Sequence, residues 1–440
     1  MIGRVFHTSD WHLGRQINRH RRDTEFDAVL NEIIDIADDF APDLIVHSGD
    51  LFDGPRPSLD DMRRAAHTLR RLGQIAPVVV VSGNHDTRYV LKFLEYILND
   101  MGTRGGAEAR VRFATDARPD GLLIAEYPAA AGDLTVRIGA LPYLHPNRFT
   151  YDFADPATTT SSYAKQMRAV QADVHHRLAA GRGPRDILVF AAHLFVEGAT
   201  PSYSERSISL QTDYAVAAAG LPPVDYGALG HIHKPQRLDS IGFPAHYAGS
   251  PLQMDFGETR DIKSVVLTEI APGRDPRIEV VPLTSGRRLV KLVGTLQEIR
   301  QRAGRIGDAW VKAVVNVAEP TPSLPETLAA LLPRATIIDI EEHRPGAVSR
   351  VLDRAASTDE LPSVEYLLHD YLADRKVTGR TLDRVMATLA HLQAEPDPTD
   401  PTPCCEETLL TAAIAGHGLD EVDRAGLLVN AETIGSEAQR

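Results

Sequence analysis

Apolar runs rich in valine, isoleucine and leucine recur along this chain, and five strand-like segments end in short polar motifs built from Asp, Asn and His. The motifs are Ser9-Asp10-Trp11-His12, Gly49-Asp50-Leu51-Phe52-Asp53, Gly83-Asn84-His85-Asp86, Ala192-His193-Leu194 and Gly230-His231-Ile232-His233. Val5-Phe6, Leu44 to Val46, Val78 to Val81 and Ile187 to Phe190 lead into the first four. Runs of that length and composition read as strands covered on both faces. In such sheets chemistry collects on the loops beyond the carboxyl ends of the strands, where all five motifs fall. Residues i and i+2 of a strand share a face, so Asp10 with His12, and His231 with His233, are expected to converge by strand alternation. Each motif alone is weak, since a histidine after an apolar run is more often a core side chain. Their joint occurrence points to one site.

The segments between the runs supply the covering layers. From Asp23 to Ala41, Phe26, Val29, Leu30, Ile33, Ile36, Ala37 and Phe40 recur at helical spacing and give one face for packing on a sheet. Leu59 to Leu72 and Tyr89 to Leu98 read as further helices. An Asp-, Thr- and Ser-rich stretch, Tyr151 to Ser162, reads as a loop ahead of a helix that runs through Leu178. Ala245 to Tyr247, Val265 to Ile270 and Ile278 to Val281 are expected to close a second sheet. The class is α/β, a layered two-sheet sandwich with flanking helices over residues 1–285. A small α/β module follows at 286–345, with strands at Leu289 to Val293, Trp310 to Val317 and Thr336 to Ile340, and helices at Leu296 to Arg302 and Pro325 to Leu332. Residues 346–394 hold two short amphipathic helices, Ser363 to Ala373 and Thr381 to Gln393. One stripe is Val364, Leu367, Leu368, Tyr371 and Leu372; the other is Leu382, Val385, Met386 and Leu389. The proline-rich Glu395 to Pro403 cannot hold a regular element, and 395–440 is expected to be an acidic, disordered tail.

His7 to Gly14, Ser82-Gly83-Asn84-His85-Asp86, Ala228 to His233 and Gly249-Ser250-Pro251 resemble the motifs of calcineurin-like metallophosphoesterases. Within that superfamily they resemble the SbcD nuclease family of double-strand-break repair, closely over residues 1–285 and beyond them by layout. The resemblance implies a metallophosphoesterase sandwich with one metal held by Asp10, His12, Asp50 and His233. It implies a second held by Asp50, Asn84, His193 and His231, with Asp50 bridging, and manganese as the usual metal, magnesium being the alternative. The donor types agree independently: carboxylate, amide and imidazole without thiolate suit manganese, magnesium or iron over a structural zinc. Two bridged ions clamp a phosphate and activate a water for in-line attack. His85 has no metal role in this scheme and resembles the histidine that contacts the scissile phosphate. Asp53 stands where some relatives carry a histidine, and reads as an acceptor orienting a ligand. Asp86 reads as a supporting carboxylate that caps the helix beginning near Thr87, rather than as a catalytic group. His47 reads as a core histidine, His145 as a loop residue and His175-His176 as solvent-exposed.

By the same resemblance the small module caps DNA, and the two following helices grip the coiled coil of an SbcC-like ATPase. The assembly is expected to be a homodimer within a heterotetramer. The net charge of −13 looks wrong for DNA until it is apportioned. Residues 395–440 hold ten of the 60 acidic residues and two of the 47 basic ones, which places −8 in the tail. Arg15, Arg19, Arg21 and Arg22 follow the first motif directly and are expected to meet backbone phosphates; Arg63, Arg64, Arg70, Arg71, Arg287 and Arg288 read as solvated faces. The two cysteines are the adjacent Cys404 and Cys405, so there is no disulfide framework and no zinc quartet. No apolar run approaches membrane-spanning length, and the first motif lies too near residue 1 for a cleaved leader. A cytoplasmic enzyme is expected. A stand-alone phosphodiesterase acting on a small nucleotide is the rival function, although a chain built only for that would end near residue 285. A non-catalytic scaffold is the third, opposed by the completeness of the motifs.

Overall fold

Val78 to Val81 show why the apolar runs carry no polar interruption: Val78 and Val80 pack among helices, while Val79 and Val81 face a second sheet. In chain order the elements are β1 (Gly3–Thr8), α1 (Asp23–Phe40), β2 (Leu44–His47), α2 (Leu59–Ile75), β3 (Val78–Val81), α3 (Arg88–Asn99) and β4 (Val111–Ala114). Then come β5 (Leu123–Pro128), β6 (Thr135–Leu141), α4 (Pro156–Ala179), β7 (Ile187–His193), β8 (Tyr226–Gly230), β9 (Gln236–Arg237), β10 (Ala245–Tyr247), β11 (Ser264–Ile270) and β12 (Arg277–Pro282). The computed structural model describes residues 2–99, 110–118, 121–130, 132–145, 156–202, 205, 216–317, 323–343, 364–374 and 379–393.

Two six-stranded sheets stack face to face, in the orders β12-β11-β1-β2-β3-β4 and β5-β6-β7-β8-β10-β9. β1 to β4 are parallel, as are β6, β7, β8 and β10. Val5, Val46, Val79, Ile138, Val189 and Ala228 fill the space between the sheets. α1, α2 and α3 cover the outer face of the first sheet through Phe26, Ile33, Leu69 and Leu91, and α4 covers the second through Val174 and Leu178. The expected α/β sandwich is present, with two differences. β11 and β12 do not close the second sheet but extend the first, β11 lying antiparallel to β1. Its valines suit that place, Val265 packing on the helix side and Val266 between the sheets. The polar stretch expected as a loop is helical from Pro156 on, its earlier residues lying outside the described ones. Proline is preorganised for a first helical turn, and no further proline or glycine follows before Ala179 to stop it.

β13 (Leu289–Gly294), α5 (Leu296–Arg302), β14 (Trp310–Asn316), α6 (Leu324–Leu331) and β15 (Thr336–His343) form a parallel three-stranded layer with its own core around Ile299, Val311, Ala313 and Leu328. It docks on the sandwich through Trp310, whose Nε1–H donates to Glu25 Oε1 at 2.7 Å while the Arg287 guanidinium lies 4.3 Å over its ring. Residues Met1–Arg344 form one compact unit and Pro345–Arg440 another. In the second, α7 (Val364–Asp374) and α8 (Arg380–Gln393) pack on each other. The Pro-rich segment and acidic tail lie outside the described residues.

Candidate metal centre

The five motifs lie at or just past the carboxyl ends of β1, β2 and β3 in one sheet and of β7 and β8 in the other. β1 and β2 end at Thr8 and His47, yet their loops stay zipped: Asp10 N–H donates to Gly49 O at 2.9 Å and His12 N–H to Asp50 O at 3.0 Å. Asp10, His12 and Asp50 have φ of 49°, 46° and 52°, and His231 has 103°. Strand alternation therefore does not explain how Asp10 meets His12, because the strand has already ended; His231 and His233, expected to converge, instead join different groups, His231 with Asn84 and His193 and His233 with Asp10 and His12. Left-handed turns aim these side chains. Such a backbone costs an L-residue about 1–2 kcal/mol, strain that persists where surrounding bonds over-determine the geometry. Two motif glycines let the walls close: a Cβ on Gly49 would strike the His193 ring, and one on Gly83 would strike Asp50.

Asn84 Oδ1 lies 2.9 Å from both His193 Nε2 and His231 Nδ1, and those nitrogens are 3.3 Å apart. Asp50 Oδ2 stands 3.4 Å from His193 Nε2 and 3.5 Å from His12 Nε2. Asp10, His12 and His233 each bring one donor atom within 4.8 Å of the others. With Nδ1 of His193 donating to Ser48 O at 3.0 Å, its Nε2 points at Asn84 Oδ1 and Asp50 Oδ2, so in the metal-ligating form of the ring its lone pair faces theirs. Donors so arranged repel unless a proton or a cation lies among them, and about 3 Å is the separation of neighbouring donors around a hard cation with bonds of about 2.1 Å. The residues present therefore fit divalent cations. Neither buried ring nitrogen of His12 makes a hydrogen bond in the described structure.

The electrostatics point the same way. Burial pushes the Asp10 carboxyl up, whereas Asp50, equally buried, is held well below the usual carboxylate range by His193 and His12. Burial opposes charge on His193, but Asp50 outweighs it and pushes the pKa up to about 9. His12 rises against burial through Asp53 and Asp50. Two buried carboxylates thus draw positive charge into the pocket, the demand that bound cations meet.

His85 lies at the rim, its Nδ1–H donating to Asp53 O at 2.6 Å and its backbone N–H to Asp50 Oδ1 at 2.8 Å. Asp53 Oδ1 lies 3.4 Å from His12 Nδ1 and 3.4 Å from the Arg15 guanidinium, so it faces the ligand set as an acceptor. Burial pushes its carboxyl up, but His12 and Arg15 outweigh that and hold it below the usual range. Asp86 does not cap the helix. Its carboxylate accepts from Gly83 N–H at 2.9 Å, Phe52 N–H at 3.1 Å and Leu51 N–H at 3.2 Å, tying the Asp50 loop to the Asn84 loop. Burial and Asp50 push its pKa up to about 6 against those three donors. Asp86→Asn turns a donor toward at least one of these amides. It is expected to cost about 1–3 kcal/mol in denaturant unfolding; an unchanged midpoint would contradict the tie.

Of the arginine cluster, Arg22 is wrongly expected at DNA. Its side chain is fully buried and bonds both oxygens of Glu25 and the Gln253 carbonyl, holding the docking site of the small module. Arg21 is paired with Asp23 at 2.7 Å, Arg15 is half-buried against Asp53, and Arg19 is exposed. His47 is buried edge-on to Trp11, His145 and His176 are exposed, and His175 is half-buried.

The motifs gave no signal for four further residues at the site. Tyr143 stacks on His231, ring centroids 6.0 Å apart, placed by its N–H on Ser82 O at 2.8 Å. Glu205 Oε1 accepts from His233 N–H at 3.0 Å. Glu258 and Lys263, both buried, pair at 2.6 Å behind His233. Burial would push the Glu258 carboxyl up, but Lys263 and His233 hold it well below the usual range. None sits at a recognisable spacing from a motif.

The family profile described as calcineurin-like phosphoesterase matches residues 3–235. The SbcD subunit of the nuclease SbcCD from Bacillus subtilis is 31% identical over 326 residues, spanning 72% of this chain and 80% of that protein. The corresponding subunit from Escherichia coli K12 is 29% identical over 306 residues, 67% of this chain and 72% of its own length. That from Rhodobacter capsulatus is 29% identical over 283 residues, covering 62% and 68%. With a match over more than half its length and a relative of this identity and coverage, the chain belongs to the calcineurin-like phosphoesterases and, among them, to the SbcD subunits.

Proposed function

We propose that the chain is the nuclease subunit of an ATP-dependent complex, cutting DNA phosphodiesters as exonuclease and endonuclease in repair and recombination. The observation that carries this reading is the cluster of oxygen and imidazole ligand atoms: His193 and His12 crowd the buried Asp50 carboxylate, and Asn84 Oδ1 joins His193 to His231. Asp10, His12, Asp50 and His233 would hold one cation and Asp50, Asn84, His193 and His231 the other, manganese by preference. Such a pair supplies Lewis-acid charge on the scissile phosphate and acidifies the attacking water. Water adds to phosphorus and loses a proton as the bond to the leaving oxygen breaks, and His85, its Nδ1–H held by the Asp53 carbonyl, would act in its protonated form, Nε2–H donating to the phosphate or passing its proton to the leaving oxygen. The strained turns at Asp10, His12 and Asp50 fix the donors before substrate arrives. Arg15 and Arg19, just beyond the first motif, extend this toward DNA backbone phosphates.

The partners follow from the same family and from surfaces on this chain. The relatives are subunits of SbcCD, and an SbcC-like coiled-coil ATPase is the partner proposed for α7 and α8. The small module is the proposed DNA cap. A second copy is proposed on α3, where Tyr89, Phe93 and Tyr96 recur at helical spacing and are 82%, 53% and 56% exposed. A cytoplasmic setting fits a chain whose two cysteines are adjacent and whose described helices include none long and apolar enough to cross a membrane. Manganese-dependent cleavage of a DNA hairpin, with bis-phenyl phosphate as control, tests the function. Cleavage of both supports it; turnover of the small diester with an untouched hairpin favours the small-nucleotide reading. Truncation after Arg354 tests the partner. The shortened chain is expected to keep metal-dependent cleavage and to lose co-purification with the ATPase; retained co-purification would contradict the assignment.

A further inference from the structure

Every backbone hydrogen-bonding group of His233 is engaged by a buried partner. Its N–H donates to Glu205 Oε1 at 3.0 Å, and its carbonyl accepts from Lys263 Nζ at 3.0 Å and from Ser250 N–H at 3.1 Å. Its ring Nδ1 lies 3.1 Å from Glu258 Oε1. Glu258 and Ser250 are fully buried, Lys263 is 5% exposed, and all three stand outside the ligand motifs. The partners satisfy one another as well. Lys263 Nζ spends its three N–H bonds on Glu258 Oε2 at 2.6 Å, Ser250 Oγ at 2.9 Å and the His233 carbonyl. Glu258 Oε2 also accepts from Met254 N–H at 2.9 Å.

We propose that Glu258, anchored by Lys263, is a positioning residue that fixes His233 in the Nδ1–H tautomer and so turns its Nε2 lone pair to the first cation. The inference rests on the metal assignment made above for His233. A carboxylate can only accept, so the proton of the Glu258–His233 bond belongs to Nδ1, and Nε2 is left as the ligating atom. A ligating histidine held in this way is more basic and preoriented, and removing such a carboxylate typically weakens metal affinity by about 10–100-fold. The other histidines are held differently. His193 donates Nδ1–H to the Ser48 carbonyl, and His12 Nδ1 stands 3.4 Å from Asp53 Oδ1, a longer contact to a partly exposed carboxylate. Loss of Glu258 should therefore be felt at one position of the pair. A merely structural ion pair, by contrast, would lower both affinities together or melt the fold.

Two measurements on the full-length chain test this. Manganese titration by calorimetry is expected to give two ions for the wild type. For Glu258→Gln, which keeps the shape and an oxygen for Lys263, it should give one affinity unchanged and one reduced about 10–100-fold. Two unchanged affinities, or two equally reduced, overturn the positioning role. The second measurement needs no variant. The nitrogen-15 shifts of His233 in metal-free, histidine-labelled wild type should report a proton on Nδ1, and a proton on Nε2 alone would overturn the proposal. Fewer than two ions on the wild type would instead be a failure of the underlying two-cation assignment, and would take the proposal with it.

Discussion

Asp50→Asn is expected to bind manganese at neither position and to lose hydrolysis by more than about 10²–10³-fold, the scale of removing a single electrostatic stabiliser, because both cations go with it. Asp50 is 2% exposed, and its Oδ2 stands between His12 Nε2 at 3.5 Å and His193 Nε2 at 3.4 Å. Asp10 also comes within 4.8 Å of each histidine, but among the described carboxylates Asp50 is the one at ion-pair distance from both. An amide there removes the negative charge and sets N–H groups or a weaker oxygen among the lone pairs. The variant should still fold, because an amide oxygen can accept from the His85 N–H that now reaches Oδ1 at 2.8 Å. Elemental analysis and hairpin turnover on the same preparation check both claims. Wild-type stoichiometry with wild-type turnover would remove the bridging role.

His85→Gln separates chemistry from assembly. His85, His12 and Asp50 bring donor atoms within 4.8 Å of one another, so the geometry alone admits His85 as a ligand. Its Nδ1 bond to the Asp53 carbonyl and its lid-like place over His12, ring centroids 4.7 Å apart, fit a group facing substrate. Glutamine can donate to the same carbonyl, and the backbone bond to Asp50 does not depend on the side chain. Both ions and DNA affinity should therefore persist while the rate falls about 10²–10⁴-fold, the worth of one acid or charge stabiliser. Manganese lost in step with activity would make His85 a ligand.

The sandwich was legible because both its faces are buried, which leaves uninterrupted valine and isoleucine runs at each core strand. The destination of β11 was not: Val265 and Val266 suit a two-sided strand in either sheet, and only pairing with β1 decides. The seven candidate ligands could be named from motif order, yet the reason they converge lies in left-handed turns at Asp10, His12, Asp50 and His231 that alternation does not foresee. Arg22 shows the limit of reading charge runs. Arg21 beside it is exposed, but Arg22 is drawn inward by Glu25, which the sequence places only three positions away. Glu258 and Lys263 lie 25 and 30 residues beyond His233, so their approach depends wholly on the fold.

Anomalous diffraction from a manganese-soaked crystal tests the central claim most directly. The account predicts two peaks about 3.5–4 Å apart on either side of the Asp50 carboxylate, one against Asp10, His12 and His233 and the other against Asn84, His193 and His231. A single peak, or peaks away from Asp50, would contradict it.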